Sequence, residues 1–213
     1  MKTTVLLLDD QPIYSEGLSI LLESYFEDID ILMASSQGEA IALFNRHADI
    51  DCVLAELFMD GSPCYDFLRF LRMHSITPPL VVLTRNNDIH MLDQALKLGA
   101  NGYLNKQAAT DEVLRCIKMV MQGYLYLPKR IKTELVEFRR ATLVETNRVQ
   151  EKISPRKQEI LLLMAEGYSN DEIAHSLGLA ESTIKTHVSA LLRAMGVNNR
   201  SHCVAEARRL KLL

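Results

Sequence analysis

The chain has 213 residues, 48% of them hydrophobic and 24% charged, with four cysteines and a formal net charge of -3. That length and apolar content suit one large or two modest globular domains. No apolar stretch approaches the ~18 residues of a membrane span, and Asp9-Asp10 breaks the first apolar run before a signal-peptide core could form, so a cytoplasmic chain without a membrane partner is predicted.

Four short apolar runs each end in a polar residue. Val5-Leu6-Leu7-Leu8 leads to Asp9 and Asp10, Cys52-Val53-Leu54-Ala55 to Glu56, Leu80-Val81-Val82-Leu83 to Thr84, and Gly102-Tyr103-Leu104-Asn105 to Lys106. Helical patterns lie between them, and that alternation predicts a parallel sheet with crossover helices. Such sheets bind ligands beyond the carboxyl ends of their strands, at the switch point. The five polar residues therefore converge on a pocket suited to a divalent cation and a phosphoryl group.

These residues and spacings resemble the receiver domain of two-component response regulators, from residue 3 to about 125. The resemblance implies a doubly wound, five-stranded parallel sheet of the flavodoxin-like kind over residues 1–127. It further implies magnesium at the acidic pair, an aspartate after the third strand that accepts phosphate from a histidine kinase, and phosphoryl oxygens bound by Thr84 and Lys106. In this chain the acceptor slot holds Glu56, and Asp60 stands where the family usually has proline.

Glutamate carries its carboxylate roughly 1.5 Å further than aspartate would, by one C–C bond. In-line phosphoryl transfer depends on positioning, so ordinary acceptance of phosphate is not expected at Glu56. Two consequences stay open: Glu56 partly imitates a phosphorylated aspartate by reaching Thr84 and Lys106, or the pocket is inert and the receiver serves as a docking surface for a regulatory protein or a kinase. The plain alternative is a solvated strand-end acid. No cofactor is required, although Asp9, Asp10 and Glu56 offer a magnesium ion hard oxygen ligands. Tyr103 matches the family's aromatic switch position, and is otherwise a half-buried strand tyrosine.

Cys52, Cys64, Cys116 and Cys203 lie far apart with no Cys-x-x-Cys pair, which speaks against zinc and against a disulfide framework. Cys52 and Cys116 read as small core residues; Cys64, near the Glu56 loop, is a weaker candidate for an oxidant-sensitive thiol. Val113, Leu114, Ile117 and Val120 recur at helical spacing before Gly123, and residues 128–152 form a charged, partly helical linker.

The net charge hides an asymmetry. Residues 1–127 hold 9 Lys+Arg against 17 Asp+Glu, net -8, and residues 128–213 hold 15 against 10, net +5. The second part is the one placed to meet nucleic acid. There, Ser154-Pro155 opens a helix that ends at Gly167, Ser169 and Glu172 have capping-box spacing before a second, and Gly178 precedes a third from about Glu181 to Met195. Ile184, Val188, Leu191, Leu192 and Met195 recur at offsets of 4, 7, 8 and 11 and share one face of that third helix. Ser182, Thr186, Ser189 and Arg193 point the other way, with Lys185 and His187 on the flanks, a small basic face suited to a major groove about 12 Å wide. A last helix lies near Ser201 to Leu210.

Residues 153–213 resemble the four-helix, all-α helix-turn-helix domain of the LuxR/NarL/FixJ regulators. The resemblance is carried by Ser154-Pro155-Arg156, Ala165-Glu166-Gly167, Asn170-Asp171-Glu172-Ile173-Ala174 and Thr183-Ile184-Lys185-Thr186-His187-Val188. It implies that Lys185, Thr186 and Ser189 face bases and that Thr183 and Arg200 meet phosphates. A non-enzymatic, homodimeric regulator of promoter DNA is the leading expectation, and a signalling adaptor that has lost DNA binding is the rival.

Overall fold

A computed structural model of the chain describes residues 2–47, 49–73 and 78–213. It divides into two compact units, Met1–Leu135 and Val136–Leu213. In the first, strands β1 (Thr3–Leu8), β2 (Ile29–Ala34), β3 (Cys52–Ala55), β6 (Leu80–Thr84) and β7 (Gly102–Asn105) form one parallel sheet in the order β2-β1-β3-β6-β7. Helices α1 (Pro12–Tyr25), α2 (Gln37–Arg46), α3 (Tyr65–Met73), α4 (Ile89–Lys97) and α5 (Thr110–Met121) connect and cover it. Coverage on both faces explains why the central strands read as unbroken apolar runs: Cys52 to Ala55 and Leu80 to Thr84 are buried throughout. β2 lies at an edge and is mostly half-buried, so its sequence Ile29-Asp30-Ile31-Leu32-Met33-Ala34 lacks that signature.

Strand order and register position the pocket. β1 sits between β2 and β3, so successive crossovers leave it in opposite directions and open a crevice at the β1/β3 boundary. Leu8 pairs with Ala55, and the Glu56 amide donates to the Leu8 carbonyl at 2.8 Å. Asp9 and Glu56, each one residue past its strand, therefore emerge side by side. A small hairpin follows Glu56: β4 (Phe58–Met59) pairs antiparallel with β5 (Ser62–Pro63) around Asp60-Gly61, both at positive φ, 50° and 75°. That is the two-residue loop for which Asp-Gly is preferred.

Helix α6 runs unbroken from Lys129 to Gln150 across the division between the units. In the second unit, α7 (Pro155–Ala165), α8 (Asn170–Leu177), α9 (Glu181–Met195) and α10 (Arg200–Arg209) bury Ile160, Leu161, Ile173, Ile184, Leu191 and Ala207 with Val149 of α6. Ser154 caps α7 by accepting from the Lys157 amide. Ser169 and Glu172 complete a reciprocal capping box on α8, and Gly178 ends that helix at φ 65°. Ala180 supplies no side-chain cap to α9.

Gly102 opens β7 against α5, where a Cβ would lie 3.0 Å from Cys116 Sγ and 3.1 Å from both Val120 Cγ1 and Val81 Cγ2. Gly102→Ala should cost about 1–3 kcal/mol by overpacking. Urea unfolding checks this: a lower midpoint is expected, and an unchanged midpoint would contradict the packing described.

Candidate functional site

The sheet's carboxyl end gathers Asp9, Glu56, Thr84 and Lys106 into a closed pocket, with Asp10 at its margin. Lys106 Nζ lies 2.8 and 2.7 Å from the two Asp9 carboxylate oxygens, donating a hydrogen bond to Oδ1, and 3.0 Å from Glu56 Oε2. All three side chains are at most 3% exposed. Gln11 Oε1 accepts a longer bond from the same ammonium at 3.4 Å, and the Tyr14 ring lies beneath it at 4.7 Å. Burial pushes the Asp9 carboxyl above its ordinary pKa, opposed by Lys106 and the Gln11 amide and reinforced by Glu56.

Glu56 divides its two oxygens. Oε1 accepts from the backbone amides of Leu57 at 2.7 Å and Phe58 at 3.1 Å, while Oε2 meets Lys106. The longer side chain thus reaches Lys106 but not Thr84, whose hydroxyl oxygen instead accepts from the Asn86 amide at 3.1 Å. Glu56 is not a solvated acid.

Tyr103 is buried, at 2% exposure, with its hydroxyl donating to the Asn86 carbonyl at 3.0 Å and lying 3.3 Å from Asn87 Oδ1. Asn105 donates to that same Asn87 oxygen at 2.9 Å. Burial, with Glu56 as the next cause, pushes the Tyr103 phenol up to about 12. The loop after β6 therefore donates to Thr84 through the Asn86 amide and accepts from Tyr103 at the Asn86 carbonyl. Sequence reading singled out Thr84 and Tyr103 but neither Asn86 nor Asn87, which carry no motif of their own.

The magnesium set expected of Asp9, Asp10 and Glu56 is not assembled. Asp9 and Glu56 spend their oxygens on Lys106 and on backbone amides, and among the described residues no group of three or more His, Cys, Asp or Glu is placed to hold a metal ion. Asp10 Oδ1 is buried with no hydrogen-bond partner, and so is Asp9 Oδ2, which faces the Lys106 ammonium as an ion pair without a hydrogen bond. Cys64 also departs from expectation: it is 1% exposed, and burial pushes its thiol up to about 11, the opposite of an activated thiolate.

In the second unit, Ser182, Lys185, Thr186, Ser189 and Arg193 are exposed on α9 and Thr183 and His187 are half-buried. Thr186 donates to the Ser182 carbonyl at 3.0 Å and Ser189 to the Lys185 carbonyl at 2.8 Å, bonds each hydroxyl can exchange by rotation. Lys185 pairs with Glu181 at 3.0 Å, an exposed ion pair of little worth that an external acceptor can replace. Arg200, expected at a phosphate, is half-buried at the start of α10. Its guanidinium donates to the Tyr168 carbonyl and, at 3.4 Å, to Asn170 Oδ1, tying α10 to the turn before α8.

Comparison with known proteins agrees with this geometry. Residues 5–118 match the response regulator receiver domain, and residues 151–207 match the luxR family of bacterial regulatory proteins. The glycerol metabolism activator of Pseudomonas putida is 30% identical over 207 residues, 95% of this chain and 94% of that one. The nitrate/nitrite response regulator protein NarL of Escherichia coli K12 is 32% identical over 197 residues, 92% and 91% of the two chains. Among solved structures, the response regulator ChrA of a heme-sensing two-component system aligns with a TM-score of 0.52 at 28% identity, covering 100% of this chain and 99% of that one. The RcsB–DNA complex shares the fold, with a TM-score of 0.58 at 22% identity over 98% and 99% of the chains.

A carboxyl whose folded pKa exceeds its unfolded value, as Asp9's does, contributes stability in acid that is lost as pH rises through the carboxylate range. Lys106→Met removes the only ammonium facing Asp9 and Glu56 among the described residues. It should cost about 3–5 kcal/mol at neutral pH, the penalty for breaking a buried pair, and less in mild acid, where Asp9 can protonate. Urea midpoints of wild type and variant at both pH values check this, and an equal loss at both would contradict it.

Proposed function

The chain belongs to the response regulators that join a receiver domain to a LuxR-type DNA-binding domain, and we propose that it binds promoter DNA sequence-specifically, with Glu56 standing in for the phosphoryl signal. One observation carries this reading: a fixed carboxylate in the acceptor slot already holds the buried Lys106 ammonium at 3.0 Å. The inward Tyr103 beside it supports the same arrangement.

Imitation is partial on two grounds. A phosphoryl group brings about 1.5 to 2 negative charges and three acceptor oxygens, whereas Glu56 brings one charge and commits one of its two oxygens to the Leu57 and Phe58 amides. Thr84 is left to Asn86. The receiver is therefore biased towards the DNA-competent state without being locked in it.

The exposed polar face of α9 supports major-groove contact, with Lys185, Thr186 and Ser189 at base edges and Thr183, His187 and Arg193 towards phosphates. Two copies on spaced half-sites would bind more tightly than one through effective concentration. The RcsB structures include dimers bound to DNA, which fits a dimeric reading of this chain.

Promoter affinity of Glu56→Gln and Glu56→Asp against wild type tests the role of the carboxylate. Glu56→Gln should bind about fivefold more weakly, the lower end of ordinary coupling energies, and equal affinity for all three proteins would remove the basis for imitation. Lys185→Ala should weaken specific DNA more than random DNA, since base contacts discriminate and phosphate contacts do not. An unchanged footprint would place the recognition surface elsewhere.

A further inference from the structure

The Arg156 guanidinium joins two helices of the second unit. Its Nη1 meets Glu159 Oε2, on the same helix α7, at 2.6 Å, and its Nη2 donates to the carbonyl of Leu177, the last residue of α8, at 2.8 Å. Helix ends leave carbonyls without intrahelical donors, and a cation placed there also meets the negative end of the helix dipole. The Gly178 and Leu179 amides are used on the His175 and Ala174 carbonyls, and Arg156 serves the Leu177 carbonyl that they pass over.

The opposite end of α8 is held in the same way. Arg200 donates from α10 to the carbonyl of Tyr168, two residues before α8, and at 3.4 Å to Oδ1 of Asn170, its first residue. α8 has eight residues, about 12 Å of helix, and its buried residues are Ile173 and Ala174. So short a helix, anchored by two side chains, is free to tilt unless its ends are tied. The turn at 178–180 leads directly into α9, and Ala180 gives that helix no side-chain cap. Any tilt of α8 therefore passes to α9, and the two guanidiniums restrain it.

We propose that Arg156 and Arg200 are positioning residues for DNA recognition: they clamp α8 at its two ends, fix how α9 meets the groove, and touch no nucleic acid themselves. The planar fork of arginine suits this task, because one head group serves a carboxylate and a carbonyl, or a carbonyl and an amide oxygen, at once. Both residues count towards the positive charge of the second unit, and neither spends that charge on phosphate. The consequence for DNA rests on the DNA-binding reading, whereas the clamp itself does not.

The test uses the full chain, its Arg156→Met and Arg200→Met variants, a duplex selected from random sequence by the wild type, and an unselected duplex of equal length. Each variant should bind the selected duplex about tenfold more weakly, the cost of roughly one mismatched base pair, and the unselected duplex much as wild type does. The slope of log affinity against log salt should stay the same. A slope shallower by about 0.9, the mark of one lost phosphate contact, or an unchanged preference for the selected duplex, overturns the proposal for that residue. Amide hydrogen exchange without DNA reads the clamp separately. It should quicken about tenfold, the factor for one lost hydrogen bond to a charged group, at residues 177–183 in Arg156→Met and at 168–172 in Arg200→Met. Exchange as slow as in wild type overturns the clamp. If the wild type selects no sequence, the DNA-binding reading falls and exchange alone decides the clamp. Should a methionine variant not fold, its lysine counterpart keeps the charge, loses the fork and is read in the same way.

Discussion

A single buried ammonium, Lys106, holds two carboxylates together at the carboxyl end of the sheet, and the function proposed for the first unit turns on that contact. Asp9 and Glu56 emerge from adjacent parallel strands and would repel each other in a site nearly closed to water. Taking such charges out of water is costly, and their attraction to a shared cation offsets the cost only when the geometry is close. The distances of 2.7 to 3.0 Å meet that condition, and backbone amides at Gln11, Leu57 and Phe58 satisfy further oxygen lone pairs. The arrangement is thus held by partners on three separate segments of chain, those that follow β1, β3 and β7.

At the acceptor slot the partner of Lys106 is the Glu56 carboxylate. Here the anion is covalently part of the chain, placed by an extra methylene rather than by phosphoryl transfer. The same methylene limits the effect, because it directs one oxygen to Lys106 and turns the other back to the main chain, leaving Thr84 in the service of Asn86. On the proposed reading this gives a graded, standing bias, and some other input adjusts DNA binding.

Much of this was legible in the residues. The runs ending at Asp9, Glu56 and Thr84 are buried from Val5, Cys52 and Leu80 onward, the one ending at Lys106 is buried as far as Leu104, and covered strands announce themselves by unbroken apolar sequence. The capping box at Ser169 and Glu172 and the left-handed glycine at 178 delimit helices by local chemistry alone. β2 was hidden because an edge strand carries a mixed pattern, with Asp30 among its apolar residues. The Asp60-Gly61 pair is itself a turn signal, and it stands at the tip of the hairpin in the loop where the family usually has proline. The internal use of Arg200 was not legible, since a carbonyl partner at Tyr168 leaves no trace in composition or spacing. The burial of Cys64 likewise depends on how the hairpin folds back, which the local sequence does not report.

The central claim is that an internal carboxylate replaces the phosphoryl group as the partner of Lys106. It is tested most directly by intact mass spectrometry of the purified chain after incubation with acetyl phosphate and magnesium chloride, read alongside promoter affinity in the same samples. The account predicts no added phosphoryl mass and unchanged affinity. Stoichiometric phosphorylation of the first unit, accompanied by tighter DNA binding, would contradict it.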